Sequence, residues 1–222
     1  MRLLVKFPTR GRPKLFCETL RQWRSHLSGR NQVRFVVSID EDDSLMNSPI
    51  MHGFLSRQKN LDWHVGHSKT KVQAINADLD KLGDYDVLVL ASDDMVPVVR
   101  GYDDVICQTM RRVWPGLDGV LHFEDGFNRN GLNTLPIMGR KLVDDWGYLY
   151  HPAYKSLFCD QEFQDVTERD GQSEKLARCI IRHDWIGAHK PDSLHLRNEA
   201  MNGPDRDTYH ARRAANYPRA WT

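Results

Sequence analysis

Carboxylates recur in this chain where apolar runs stop. Tyr85-Asp86-Val87-Leu88-Val89-Leu90-Ala91 leads into Ser92-Asp93-Asp94, and Val33 to Ile39 leads into Asp40-Glu41-Asp42-Asp43. A third acidic pair, Asp160 and Glu162, lies in the second half. Adjacent acids repel, and a divalent cation seated between them relieves the repulsion. A positioned Asp or Glu can also take a proton from a hydroxyl. Hard carboxylate oxygens suit Mg²⁺ or Mn²⁺, and an added imidazole would favour Mn²⁺. The plainer alternatives are solvated strand-to-loop turns for Asp93 and Asp94, and a helix cap for Asp160. Other chemistries lack their residues: there is no G-x-x-x-x-G-K-[ST] loop, no G-x-G-x-x-G after the first strand and no G-x-S-x-G elbow. Cys17, Cys107, Cys159 and Cys179 are too dispersed for a thiolate metal site and read as reduced thiols.

Positioning such acids falls to alternating strands and helices. Leu3 to Phe7 reads as a strand, stopped by Pro8-Thr9-Arg10-Gly11-Arg12-Pro13, and Leu15, Phe16, Leu20, Trp23 and Leu27 recur at helical spacing. Val33 to Ile39 is a second strand, Ile50 to Arg57 a short helix and Leu61 to Val65 a weaker strand. Lys69 to Leu82 predicts one helix ended by Gly83, before the buried strand that carries Asp93 and Asp94. The order predicts an α/β fold with a mainly parallel sheet, helices on both faces, and ligands outside the strands' carboxyl ends. Beyond Pro97 the spacing predicts helices over Tyr102 to Trp114 and Ile137 to Trp146, and a strand over Gly119 to Phe123. Glu124 to Leu135 reads as a loop, and Glu162 to Arg182 as helical in part, broken at Asp170-Gly171.

One domain over 1–190, in halves 1–98 and 99–190 with the second half irregular, fits the length; 191–222 reads as a polar arm or lid. With 31 basic and 30 acidic residues, global charge argues neither for nor against a polyanionic partner. The N-terminal apolar run is too short for a signal peptide and no stretch reaches membrane length, so a cytoplasmic protein is expected.

Pro8-Thr9 after the first strand, Asp40 after the second and Ser92-Asp93-Asp94 after the fourth resemble, in their order, the nucleotide-sugar half of a GT-A fold glycosyltransferase close to family 2. Leu157-Phe158-Cys159-Asp160-Gln161-Glu162 and His183-Asp184-Trp185-Ile186-Gly187 resemble segments of family-2-like enzymes often encoded by bacteriophages. The resemblance spans about the first 190 residues. It implies transfer of a sugar from a nucleotide-sugar donor, with UDP as the default nucleotide. It places Pro8, Thr9, Arg10 and Asp40 at the nucleotide, Asp93 at the ribose or the metal, and Asp94 on the metal. Lys71 and Asn76 match a region that contacts the donor. The first acid of the full D-x-D pattern falls on Ala91 or is replaced by Ser92, which leaves Asp94 the stronger ligand. His183 is the implied imidazole ligand, with His189 second, and Asp160 the base of an inverting transfer, with Glu162 in reserve on the same side if the stretch is extended.

The acceptor stays open between a glycan, a small molecule and a hydroxymethylated pyrimidine in DNA, whose phosphates Arg206, Arg212, Arg213 and Arg219 would meet. Arg10 and Arg12 flank the nucleotide end and are placed to meet a phosphate. Trp114, Trp146 and Trp221 read as packing residues, and Trp185 as one that could stack on a sugar or base. A sugar-phosphate nucleotidyltransferase is the alternative enzyme class, and a silent nucleotide-sugar-binding module the non-catalytic one.

Overall fold

The computed structural model describes residues 1–126, 131–184 and 191–219. The first strand, β1 (Arg2–Thr9), is buried on both sides. Alternation sends Leu3, Val5 and Phe7 into one core and Leu4 into another, so the strand is the wall between two apolar layers. It leads through the proline-bounded loop to α1 (Pro13–Ser25), which begins with Pro at its first position, where no amide hydrogen is needed. Then come β2 (Gln32–Asp40), α2 (Pro49–Leu55), β3 (Leu61–Gly66), α3 (Lys71–Asn76), β4 (Val87–Leu90), β5 (Met95–Pro97) and α4 (Tyr102–Val113). The second half holds β6 (Val120–Glu124), β7 (Ile137–Gly139), α5 (Arg140–Trp146), α6 (Cys159–Arg169), β8 (Ser173–Cys179), β9 (Ile181–His183), α7 (Ser193–Glu199) and α8 (Asn202–Ala214).

Seven strands form one sheet in the order β3-β2-β1-β4-β7-β6-β8, and only β7 runs against its neighbours. The sheet is therefore the mainly parallel one expected, and its first four strands in space direct β1, β2 and β4 toward one edge. The layer holding Phe16, Leu20 and Trp23 of α1 and Tyr102, Ile106 and Met110 of α4 covers one face. The opposite face is covered by Val72 and Ile75 of α3, Leu142 and Val143 of α5, and Phe163 and Val166 of α6, with Tyr209 of α8.

Three segments differ from their sequence patterns. The helix expected over Lys69 to Leu82 stops at Asn76: Ala77 is extended and Asp78 is left-handed (φ 60°), with a short 3-10 turn at Leu79–Lys81. Asp78 accepts hydrogen bonds from Ser38 Oγ (2.9 Å) and Lys81 Nζ (2.8 Å), and Ser38 in turn accepts from the buried Lys6 Nζ (2.9 Å). That polar chain under the sheet outweighs the helical spacing. The helix expected from Ile137 begins only at Arg140, because Ile137–Gly139 is the antiparallel strand between β4 and β6. At Gly139 a Cβ would lie 2.3 Å from Leu117 O, so the close crossing demands glycine. Past Gly171 the chain is strand, not helix, as β8 and β9.

Residues 191–219 lie against the domain. Asp205 and Tyr209 of α8 are buried, and Arg212 of α8 forms a bidentate ion pair with Glu162 of α6 at 2.7 Å. Among the described residues no helix is long and apolar enough to cross a membrane. Trp114 and Trp146 pack against the two cores as expected, whereas Trp185, His189 and Trp221 lie outside the described residues.

Candidate active site

At the carboxyl ends of β1, β2 and β4 lies a cavity of about 440 Å³. Pro8, Thr9, Arg10, Asp40, Lys71, Asp93, Asp94, Asp160 and His183 all line it; Asn76 and Glu162 do not. These nine residues come from five elements, β1, β2, α3, α6 and β9, and the loops between them, which is the placement that parallel α/β sheets give to ligands.

The β1–β2 end is built from Thr9 and Asp40, each the last residue of its strand and each buried. Arg10 donates to Asp40 Oδ2 at 2.8 Å and chelates Asp42 with both terminal nitrogens, at 2.5 and 2.8 Å. Hydrogen bonding to Asp42 raises the Arg10 guanidinium above its ordinary range and holds Asp42 below its own. Thr9 Oγ1 is buried beside the cavity and has no hydrogen-bond partner among the described residues. A buried hydroxyl without a partner is costly, and a ligand carbonyl or amide offers one.

Asp93 and Asp94 follow β4 and have different surroundings. Asp93 accepts from Arg12 (3.0 Å), and the same guanidinium chelates Asp192, the N-cap of α7, at 2.6 and 2.9 Å. Burial pushes the Asp93 carboxyl up to about 6, against the pull of Arg12. The backbone of this loop is fixed from α1, where Thr19 Oγ1 donates to Asp93 O and Trp23 Nε1 to Met95 O, both at 2.6 Å.

Asp94 faces His183 across the small antiparallel pair β5–β9. Met95 is opposite His183 in that pair, and Asp184 N donates to Asp94 O at 2.7 Å. This pairing sets His183 Nε2 3.6 Å from Asp94 Oδ2. On its other side His183 Nδ1 is 3.3 Å from Thr134 Oγ1, whose own proton goes to Asp125 Oδ2 at 2.7 Å. Thr134 can therefore only accept from His183, which places a proton on Nδ1 and leaves Nε2 facing Asp94. Ser92 Oγ donates to Asp94 Oδ1, so the serine standing where the D-x-D pattern has an acid steadies the acid that remains. Burial would raise Asp94, but His183, Ser92 and Arg12 together hold it below the ordinary carboxylate range.

A carboxylate oxygen and an imidazole nitrogen 3.6 Å apart can share a cation once Nε2 carries no proton. The set fits Mn²⁺ or Mg²⁺ bound by few protein ligands with phosphate oxygens and waters completing the shell. Among the described residues no third His, Cys, Asp or Glu completes a protein-only metal cluster.

The far wall carries Asp160, in the first turn of α6, half-buried and open to the cavity. Its helical setting separates it from Glu162. Two residues along a helix turn about 200°, so the same-side expectation for an extended stretch does not hold. Glu162 is buried behind the wall, accepting from Arg212 and from Tyr154 Oη at 2.7 Å, which excludes it from contact with a substrate in the cavity. Asn76 is likewise structural, accepting from the backbone amides of Leu149 and Tyr150 and donating to Tyr150 O. Lys71 is exposed at the start of α3. Leu157, which opens the segment that carries Asp160, also lines the wall, as do Lys155, Ser156, His195, Arg197 and Glu199, which had no distinguishing pattern in the sequence.

No protein-family model matches the chain, and no curated protein matches it in sequence. Solved structures do match. A mannosyltransferase from Pyrobaculum calidifontis, in complex with GDP-Man and Mn²⁺, superposes with a TM-score of 0.65 at 14% identity, over 82% of this chain and 56% of its own. A Drosophila β-1,4-galactosyltransferase 7 variant, in complex with manganese, UDP-Gal and xylobiose, gives 0.54 at 14% identity, over 85% and 72%. A 4-diphosphocytidyl-2C-methyl-D-erythritol synthase from Anaerococcus prevotii gives 0.53 at 12% identity, over 79% and 86%. The chain thus has the α/β fold of GT-A-type glycosyltransferases, and it spans just over half the length of the mannosyltransferase.

Proposed function

We propose that the protein is a metal-dependent glycosyltransferase that moves a sugar from a nucleotide-sugar donor to an acceptor hydroxyl with inversion. The observation that carries this reading is the single cavity shared by Thr9 and Asp40, the Asp94–His183 pair and Asp160. These correspond in order to a nucleobase end, a diphosphate end and a base.

In this reading Thr9 Oγ1 and the free lone pairs of Asp40 hold the nucleobase, and Arg10 keeps Asp40 in place. Asp93, tied to Arg12, lies nearest the ribose. Asp94 and His183 would hold a divalent cation, which supplies charge stabilisation for the leaving nucleoside diphosphate. Asp160 accepts the proton of the acceptor hydroxyl as its oxygen attacks the anomeric carbon; the bond to the diphosphate oxygen breaks and its electron pair leaves with the nucleotide. Lys71, at the cavity edge, is placed to meet the donor.

UDP is the default nucleotide, and the acceptor is a glycan or small molecule. The DNA alternative has less support, because two of its four arginines, Arg212 and Arg219, are engaged with Glu162 and Asp170. Residues 191–219, through α7 and the Asp192–Arg12 pair, act as the lid. Bacteriophage origin, which rests on sequence resemblance, and a cytoplasmic site remain parts of this proposal.

The test is donor cleavage across a panel of UDP- and GDP-sugars with Mn²⁺. Asp160→Asn should lower turnover at least about 100-fold while leaving nucleotide binding intact. Undiminished turnover would reject Asp160 as the base. The likeness to a diphosphocytidyl-compound synthase keeps a nucleotidyltransferase as the second reading. Release of pyrophosphate from a nucleoside triphosphate and a sugar phosphate would favour it over sugar transfer.

A further inference from the structure

Between α5 and α6 the chain runs from 147 to 158 without helix or strand, so its backbone amides must find partners elsewhere. Three in succession find the same one. Lys155 N donates to Asp205 Oδ1 at 2.9 Å, while Ser156 N and Leu157 N donate to Asp205 Oδ2 at 2.7 and 2.8 Å. Asp205 is in the first turn of α8 and only 1% exposed. From the opposite side Lys155 O accepts from Val72 N of α3 at 3.0 Å. The loop is thus stapled between α3 and α8, and all three of its residues line the cavity.

The next residue, Phe158, is the N-cap of α6 in the left-handed region (φ 59°), a conformation that a bulky residue adopts only when its surroundings impose it. Its ring lies 5.7 Å from that of Tyr209, also on α8. Two residues later comes Asp160. The direction in which α6 leaves the loop, and with it the position of the Asp160 carboxylate, is therefore set by a contact made 45 residues downstream.

We infer that Asp205 is a positioning residue for the transfer reaction, holding the 155–157 wall and, through Phe158, the Asp160 carboxylate in line with the acceptor. The inference rests on the glycosyltransferase reading above. Three charge-assisted hydrogen bonds from rigid backbone give Asp205 the stiffness that the role requires, and α8 is anchored independently by Arg212 on Glu162 and by Tyr209 Oη on Asp165 (2.7 Å). A merely stabilising residue would lower the melting point without altering chemistry below it. A positioning residue changes turnover while donor binding persists, since small displacements of a reacting group cost one to two powers of ten in rate.

The experiment compares wild type, Asp205→Asn and Asp205→Glu with Arg212→Met, which weakens the seating of α8 but leaves the 155–157 contacts in place. UDP-glucose, UDP-galactose, UDP-N-acetylglucosamine and GDP-mannose serve as donor probes with Mn²⁺, with UDP and GDP as binding probes. Each Asp205 variant should lose about tenfold or more in kcat for donor cleavage, with nucleoside diphosphate Kd and donor KM within about twofold of wild type. Amide exchange over residues 155–157 should accelerate in both. Arg212→Met should melt earlier yet keep kcat within about twofold well below its midpoint. Retention of kcat by either folded Asp205 variant, or an equal loss in Arg212→Met at matched stability, would overturn the role of Asp205. Absence of UDP or GDP binding in wild type would overturn the donor reading and this inference together.

Discussion

The ion pair between Glu162 and Arg212 separates a structural acid from a catalytic one, and Arg212→Met tests the distinction. The Glu162 side chain is 5% exposed and that of Arg212 13%, and two parallel hydrogen bonds of 2.7 Å join them. Removing the guanidinium leaves a buried carboxylate with Tyr154 as its remaining partner. Breaking a buried pair from one side costs about 3–5 kcal/mol, because the surviving charge has lost its compensation and cannot be resolvated. For a domain of this size each kcal/mol moves the melting point by about 2–4 °C, so a fall of roughly 6–20 °C is expected by calorimetry or circular dichroism. Glu162→Gln combined with Arg212→Met should recover at least half of the loss, since no charge is left buried. Donor turnover, measured well below the new midpoint, should stay within about twofold of wild type. A shift under about 3 °C would refute the energetic argument. Turnover that vanished in a folded Arg212→Met protein would refute the exclusion of Glu162 from the chemistry.

Three other outcomes follow from particular side chains. Burial pushes His151 down to about 4, and Ala153 N donates to its Nδ1 at 3.2 Å, so it is neutral in the folded chain. Below about 6.5 the unfolded chain binds a proton there that the folded chain does not, so stability should fall by on the order of 1–3 kcal/mol from pH 6.5 to 4 in urea titrations, and His151→Phe should flatten that limb. Asp40→Asn and Thr9→Val should each weaken nucleoside diphosphate binding by about tenfold by calorimetry, with Mn²⁺ dependence intact; unchanged affinity would remove both from the nucleobase end. His183→Ala should raise the Mn²⁺ concentration needed for half-maximal turnover by roughly 10–100-fold without a matching change in metal-free nucleotide binding.

Sequence periodicity revealed the first half of the fold because β1, β2 and β4 are apolar runs buried on both faces and α1 repeats its apolar residues at helical spacing. It failed where elements were too short or too polar to carry a period. Ile137-Met138-Gly139 is three residues long and runs directly into α5, so strand and helix read as one. Ser173–Cys179 is an edge strand with charged residues on it, composed largely of good helix formers, and its state is decided by pairing with β6. For the site, Thr9, Asp40, Asp93 and Asp94 were legible because each ends or follows a buried strand. Side chains whose roles depend on distant partners were not. Arg12 reaches Asp192 across 180 positions, and Asp205 looks like any other acid in a polar segment; His183 was named only through the resemblance, since it meets Asp94 through the β5–β9 pair. Glu162 was misplaced because its side of the chain depends on whether residues 159–162 are extended or helical.

The measurement closest to the central claim is calorimetric titration of UDP- and GDP-sugars into wild type and Asp94→Asn, each with and without Mn²⁺. At least one nucleotide-sugar should bind wild type about tenfold or more tightly when Mn²⁺ is present, and Asp94→Asn should abolish this gain while keeping the metal-independent affinity. Equal affinity with and without Mn²⁺ in wild type, or an undiminished Mn²⁺ effect in Asp94→Asn, would contradict that claim.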